Sequence, residues 1–201
     1  MPISAPQPFH IDMPQATLVD MRTRLANTRF AADVGNADWS YGGEAGWLTD
    51  MVRYWHDEFD WRAHEAAMNG LPHFRIELEA IPIHFVHVKG KKSNARPLIL
   101  THGWPWTFWD YRHLIGPLTD PEAHGAPDAP AFDLVIPSLP GFGFSAPLTR
   151  TGIHIPQIAA LWVSLMSDVL GYERIVKRRS KGTPDRRRRG TPCSDNLMLV
   201  C

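Results

Sequence analysis

The feature that most limits what this chain can fold into is residues 96–105, Arg-Pro-Leu-Ile-Leu-Thr-His-Gly-Trp-Pro. Leu98, Ile99 and Leu100 form an unbroken apolar run between Pro97 and a Gly/Pro turn. A run without alternation suits a strand covered on both faces, as in a parallel sheet. Gly103 directly after it lets the backbone turn with its amides facing open space, and Pro105 stiffens the exit. Amides held in that way can stabilise a developing oxyanion.

On either side of this strand the apolar period changes. Leu18, Met21 and Leu25 recur at helical spacing within residues 14–29 and predict a first amphipathic helix. Leu48, Met51, Val52, Trp55 and Phe59 predict a second, with a stronger stripe. Residues 30–43 read as an ordered loop packed by Trp39 and Tyr41. Past the breaker at residues 69–72, Phe74, Ile76 and Leu78 alternate with Arg75, Glu77 and Glu79, the mark of a half-buried strand. Residues 83–88 are the next strand, 106–118 a helix, 119–131 a surface loop, 132–136 a buried strand and 139–147 a Gly/Pro-rich loop. Pro156 opens a helix in which Ile158, Trp162, Leu165, Met166 and Val169 share a face, with Gly171 past its end. Residues 173–176 begin a further strand. This order of elements is of the α/β class.

Two groups of residues carry a resemblance. His102-Gly103-Trp104-Pro105, with residues 132–145 (Phe-Asp-Leu-Val-Ile-Pro-Ser-Leu-Pro-Gly-Phe-Gly-Phe-Ser), resembles the α/β-hydrolase core of epoxide hydrolases of the microsomal type. Residues 38–43 (Asp-Trp-Ser-Tyr-Gly-Gly), Tyr54-Trp55, residues 59–62 (Phe-Asp-Trp-Arg) and residues 71–74 (Leu-Pro-His-Phe) resemble the N-terminal domain that precedes that core. The resemblance implies an α/β-hydrolase fold, with residues 1–93 as the N-terminal domain including the first two strands and 94–176 as part of the core. It implies that an Asp on a sharp turn attacks an epoxide carbon, and that a His–acid pair activates water to release the ester as a vicinal diol. A small apolar epoxide is the implied substrate, lid tyrosines the implied donors to its oxygen, and no metal or organic cofactor takes part.

By the same resemblance, His102, Gly103, Trp104 and Pro105 form the oxyanion-hole motif, with the Trp104 N–H as half of the hole. Trp39, Tyr41, Trp106 and Phe142 are candidate pocket-lining residues, although aromatics at the spacing of Trp39, Tyr41, Trp55 and Trp61 more often form core. Family members follow the turn with Gly-Ser, whereas Trp106-Thr107 stands here. No Asp in an elbow context such as Gly-Gly-Asp-Trp occurs in the 201 residues. The core is therefore expected to stop before the nucleophile, leaving no catalytic residue, an open sheet edge and an inactive chain.

Residues 177–201 contrast with the rest. Lys and Arg equal Asp and Glu at 21 each, yet eight basic residues and only Asp185 and Asp195 follow Val176, leaving 13 basic against 19 acidic before it. Such a composition reads as a disordered basic tail, and its abrupt start partway into a strand suggests a frameshift. An alternative is a noncatalytic fragment or binding module whose basic tail reaches a partner. The balanced total suggests no nucleic-acid or membrane partner, but it hides a net −6 body and a net +6 tail, and nucleic acid is not the expected partner. Both cysteines, Cys193 and Cys201, lie in that tail, so the body offers no disulfide or thiolate-metal chemistry and fits a reducing cytoplasm. No apolar run reaches bilayer length, and neither a secretion signal nor a membrane anchor is expected.

Other motifs are weaker. Residues 141–146 partly match a dinucleotide fingerprint, but Pro140 and Pro147 bracket them and no helix follows directly. Ser145 lacks the second glycine of a nucleophile elbow. His84 and His87 point to opposite faces of a strand and cannot share a metal, and His64-Glu65 has no second histidine at zinc-helix spacing.

Overall fold

The structure, a computed structural model, describes residues 4–32, 34–172 and, as backbone, 198–200. In chain order its elements are β1 (Gln7–Pro8), α1 (Gln15–Ala26), α2 (Ala45–Asp57), α3 (Trp61–Asn69), β2 (His73–Leu78) and β3 (Ile81–Val88). After these come β4 (Arg96–Leu100), a 3₁₀ turn (Phe108–Tyr111), α4 (Arg112–Thr119) and β5 (Phe132–Pro137). A second 3₁₀ turn (Gly143–Ser145), α5 (Ile155–Ser164), a π turn (Leu165–Val169) and β6 (Met198–Val200) complete the list. Two units separate, residues 11–69 and the remainder.

In the larger unit the strands form one sheet in the order β1-β2-β3-β5-β4-β6. β2 and β3 are an antiparallel hairpin with Ile76 opposite Ile83, and β3 meets β5 antiparallel, Val86 opposite Ile136. β4 and β5 then pair in parallel, Leu98 opposite Leu134. The unbroken apolar runs are buried as expected: Leu98, Ile99, Leu100, Leu134, Val135 and Ile136 are all buried. One face packs Ile76, Ile81, Ile83, Phe85, Ile99 and Val135 against Leu161, Trp162, Leu165 and Met166 of α5 and the π turn. Each such side chain contributes roughly 1.5–3 kcal/mol on leaving water.

The sequence reading places the first two strands with the N-terminal domain of residues 1–93. In the structure β2 and β3 lie in the sheet unit, where β3 pairs antiparallel with β5. The helix expected at 106–118 begins instead as the 3₁₀ turn. There Thr107 caps the Trp109 N–H at 3.2 Å while Asp110 returns to the Thr107 N–H at 2.7 Å. The strand expected at 173–176 and most of the basic tail lie outside the described residues. Met198–Val200 does not: its backbone pairs in parallel with β4, Ile99 opposite Leu199.

In the smaller unit, α3 fastens the segment ahead of α1. Glu65 accepts the Met13 N–H at 2.7 Å and the Arg62 guanidinium at 2.5 Å, while Asn69 bonds both the N–H and the carbonyl of Ile11 at 2.9 and 2.8 Å. The Met13 bond first, then Arg62, hold the Glu65 carboxyl down at about 2. Glu44 caps α2 by accepting the Gly46 and Trp47 N–H groups, each at 2.7 Å. The core reading of the aromatics is not met for Trp39, Tyr41 and Trp55, which are all exposed, and α2 buries none of its residues fully.

Candidate active site

The site grows from the end of β4. Thr101 and His102 are still buried, and the chain then surfaces at Gly103, where a Cβ would meet nothing within 4 Å. Trp104 is 78% exposed and joins Pro105 through a cis peptide. The Trp104 N–H donates no hydrogen bond among the described residues, so the turn holds an amide donor whose capacity is unused there.

His102 fixes this turn from below. Its Nε2 accepts the Leu139 N–H at 3.0 Å, which requires the ring proton on Nδ1, and Nδ1 lies 3.1 Å from the Gly103 carbonyl. One imidazole thereby joins the loop after β5 to the turn after β4. The Tyr111 hydroxyl adds a second tie by donating to the Thr101 carbonyl at 2.8 Å.

Behind Leu139 lies a buried polar chain. Ser138 Oγ is 2.9 Å from His84 Nδ1, and His84 Nε2 is 2.9 Å from His73 Nδ1. Phe9, Phe108 and Phe144 stand around the His84 ring at 5.1–5.4 Å between centroids. Burial in this aromatic box, followed by the nearby His73 and Arg75, pushes His84 down to about 3, so the ring stays neutral. The sequence alone excludes a metal shared by His84 and His87 and assigns no role to Ser138. The available signal was a serine directly after a buried strand, where an unpaired hydroxyl would be costly.

The candidate pocket residues fall into two groups. Phe142 stands edge-on to His102 at 6.4 Å, Trp106 follows the turn directly in sequence, and both are exposed. Trp39 and Tyr41 belong to the other unit. There Tyr41 lines an open cavity of about 480 Å³ with Phe30, Val34 and Leu48, while Trp39 turns edge-on to Trp47 at 5.4 Å. Ser145 is fully buried and donates to the Ser138 carbonyl at 2.8 Å, a placement that agrees with its rejection as a nucleophile.

Comparison with known proteins adds an independent finding. The family described as epoxide hydrolase N terminus matches residues 6–111. A Stigmatella aurantiaca protein carrying the epoxide hydrolase name is 44% identical over 165 residues, which cover 82% of this chain and 37% of that protein. Epoxide hydrolase 1 of Oryctolagus cuniculus is 32% identical over 164 residues, 80% of this chain and 36% of the relative. The Aspergillus niger epoxide hydrolase structure superposes with a TM-score of 0.71 at 32% identity, covering 83% of this chain and 44% of that one. The chain thus spans little more than a third of the curated relatives it matches. Sheet order, the turn after β4 and these likenesses converge on one statement: the chain belongs to the epoxide hydrolase family.

Proposed function

We propose that this chain supplies the N-terminal domain and the β4–β5 part of the core of an enzyme that opens small apolar epoxides to vicinal diols through an ester on an Asp nucleophile. The observation that carries the reading is the Gly103–Trp104 turn, an unpaired amide donor held by His102 at the carboxyl end of a buried parallel strand. Hydrolysis of an ester passes through a tetrahedral oxyanion, and a donor fixed beforehand stabilises that charge without reorganising. Trp106 and Phe142 give the turn apolar neighbours, which suits a substrate with little polarity. The 201 residues hold no Asp in an elbow context, and on this reading they do not turn over an epoxide alone. A cysteine-free body up to Cys193 supports a cytoplasmic setting.

A chimera tests the reading. The matched segment of the Stigmatella aurantiaca relative is replaced by that of this chain, and hydrolysis of styrene oxide is followed. The chimera should form the diol, the 201-residue chain should not, and Trp104→Pro in the chimera, which deletes the donor, should lower kcat by about 10²-fold to 10³-fold. A folded chimera whose rate is indifferent to Trp104→Pro would remove the oxyanion role.

A further inference from the structure

We propose that Ser145 is a positioning residue, whose hydroxyl fixes the Ser138–Leu139 peptide and, through it, the His102 ring and the Gly103–Trp104 turn. Ser145 is fully buried, and both hydrogen-bonding capacities of its hydroxyl are used inside the protein. Its Oγ–H donates to the Ser138 carbonyl at 2.8 Å, and its oxygen accepts the His84 N–H at 2.9 Å. The Ser138 carbonyl and the Leu139 N–H belong to one peptide plane. That plane is therefore bonded at both ends, by Ser145 at the oxygen and by His102 Nε2 at the nitrogen.

A peptide bonded at both ends cannot rotate without breaking both bonds together, one buried and one partly buried. The next bond outward is His102 Nδ1 to the Gly103 carbonyl, which shares its peptide plane with the Trp104 N–H. Ser138 is held independently as well, its N–H on the His84 carbonyl at 2.9 Å and its hydroxyl on the His84 ring. Loss of Ser145 thus leaves the strand end in place while unlocking the peptide that orients His102. The local fold delivers Ser145 to this point through a tight loop, with Gly141 N–H on the Ser145 carbonyl at 3.1 Å and Ser145 N–H on the Phe142 carbonyl at 2.9 Å.

The catalytic meaning rests on the reading of Trp104 as an oxyanion donor, but the test does not use turnover, so the two can fail separately. In the ¹⁵N-labelled 201-residue chain, long-range ¹H–¹⁵N correlations should show His102 with its proton on Nδ1. In Ser145→Ala, amide exchange at Leu139 should accelerate by about tenfold or more and the Gly103 and Trp104 amides should shift. Amides within β3 and β5 should stay within about twofold of their original rates. A His102 proton on Nε2 in the unmodified chain overturns the proposal even if the variant does not fold. So does a variant whose exchange rises equally across the sheet, or not at all at Leu139.

Discussion

His84 shows how a single buried side chain ties stability to pH. Unfolded, its imidazole takes a proton near 6.5, but burial among Phe9, Phe108 and Phe144 holds it neutral until about 3. His87, half-buried and repelled by Lys89 against the pull of Asp133, is held down to about 4. Between those limits the unfolded chain binds more protons than the fold, so stability is complete above pH 6.5 and declines as the pH falls. Glu65 behaves as a depressed carboxylate: its contribution is present above 4.5 and is lost as the pH falls toward about 2. The two windows overlap only in acid. Thermal midpoints measured between about pH 7 and pH 5 should therefore drop for the original chain and drop less for His84→Gln, since a glutamine takes up no proton. An equal drop in both would place the acid sensitivity elsewhere.

The elements differ in how openly the sequence announces them. β4 and β5 were legible because an unbroken apolar run has one physical use, burial on both faces, and Leu98 to Leu100 and Leu134 to Ile136 are buried in that way. The α5 stripe was legible for the same kind of reason. Its end was less so: the chain widens into a π turn, Leu170 N–H bonding the Leu165 carbonyl at 3.1 Å, before Gly171 closes it at φ +73°. In the site, Gly103 and Pro105 showed the turn, whereas the Leu139 N–H that His102 accepts comes from 37 residues away and no local pattern encodes it. The hairpin turn is the least legible element. Glu79 and Ala80 take φ +50° and +62°, a left-handed pair normally given to Asn-Gly, and neither residue signals it. Glu79 has a use there, meeting Arg150 at 2.7 Å, but the Ala80 methyl has no such partner. A left-handed non-glycine residue costs about 1–2 kcal/mol. Ala80→Gly should relieve part of that and raise unfolding stability by about 1 kcal/mol, read as a higher urea midpoint at unchanged slope. A lowered midpoint would mean that the added chain entropy of glycine outweighs the relief.

At the scale of the whole sheet, the two edges are finished unequally. One side ends in the antiparallel β2–β3 hairpin with the two-residue β1 on its outer strand, Gln7 opposite Arg75. The other side is β4, whose Leu98, Ile99 and Leu100 are as apolar as any residues in the chain, and an uncovered edge of that kind templates association with other chains. The sequence predicts an open edge here, because the core stops before the nucleophile and a basic tail follows Val176. In the fold, Met198, Leu199 and Val200 meet it in parallel register, opposite Leu98, Ile99 and Leu100. Composition concealed the strand: three apolar residues after a long basic stretch are too few to stand out by periodicity, and only the waiting edge gives them a role. Deleting residues 198–201 should therefore uncover the ladder groups of β4 while leaving the α5 face of the core untouched. The expected outcome is concentration-dependent association by sedimentation velocity, with backbone exchange rising at Ile99 and Leu100 but not in β3. A deletion variant that associates no more than the full chain does, with Ile99 as protected as before, would mean that β6 lies on the edge without guarding it.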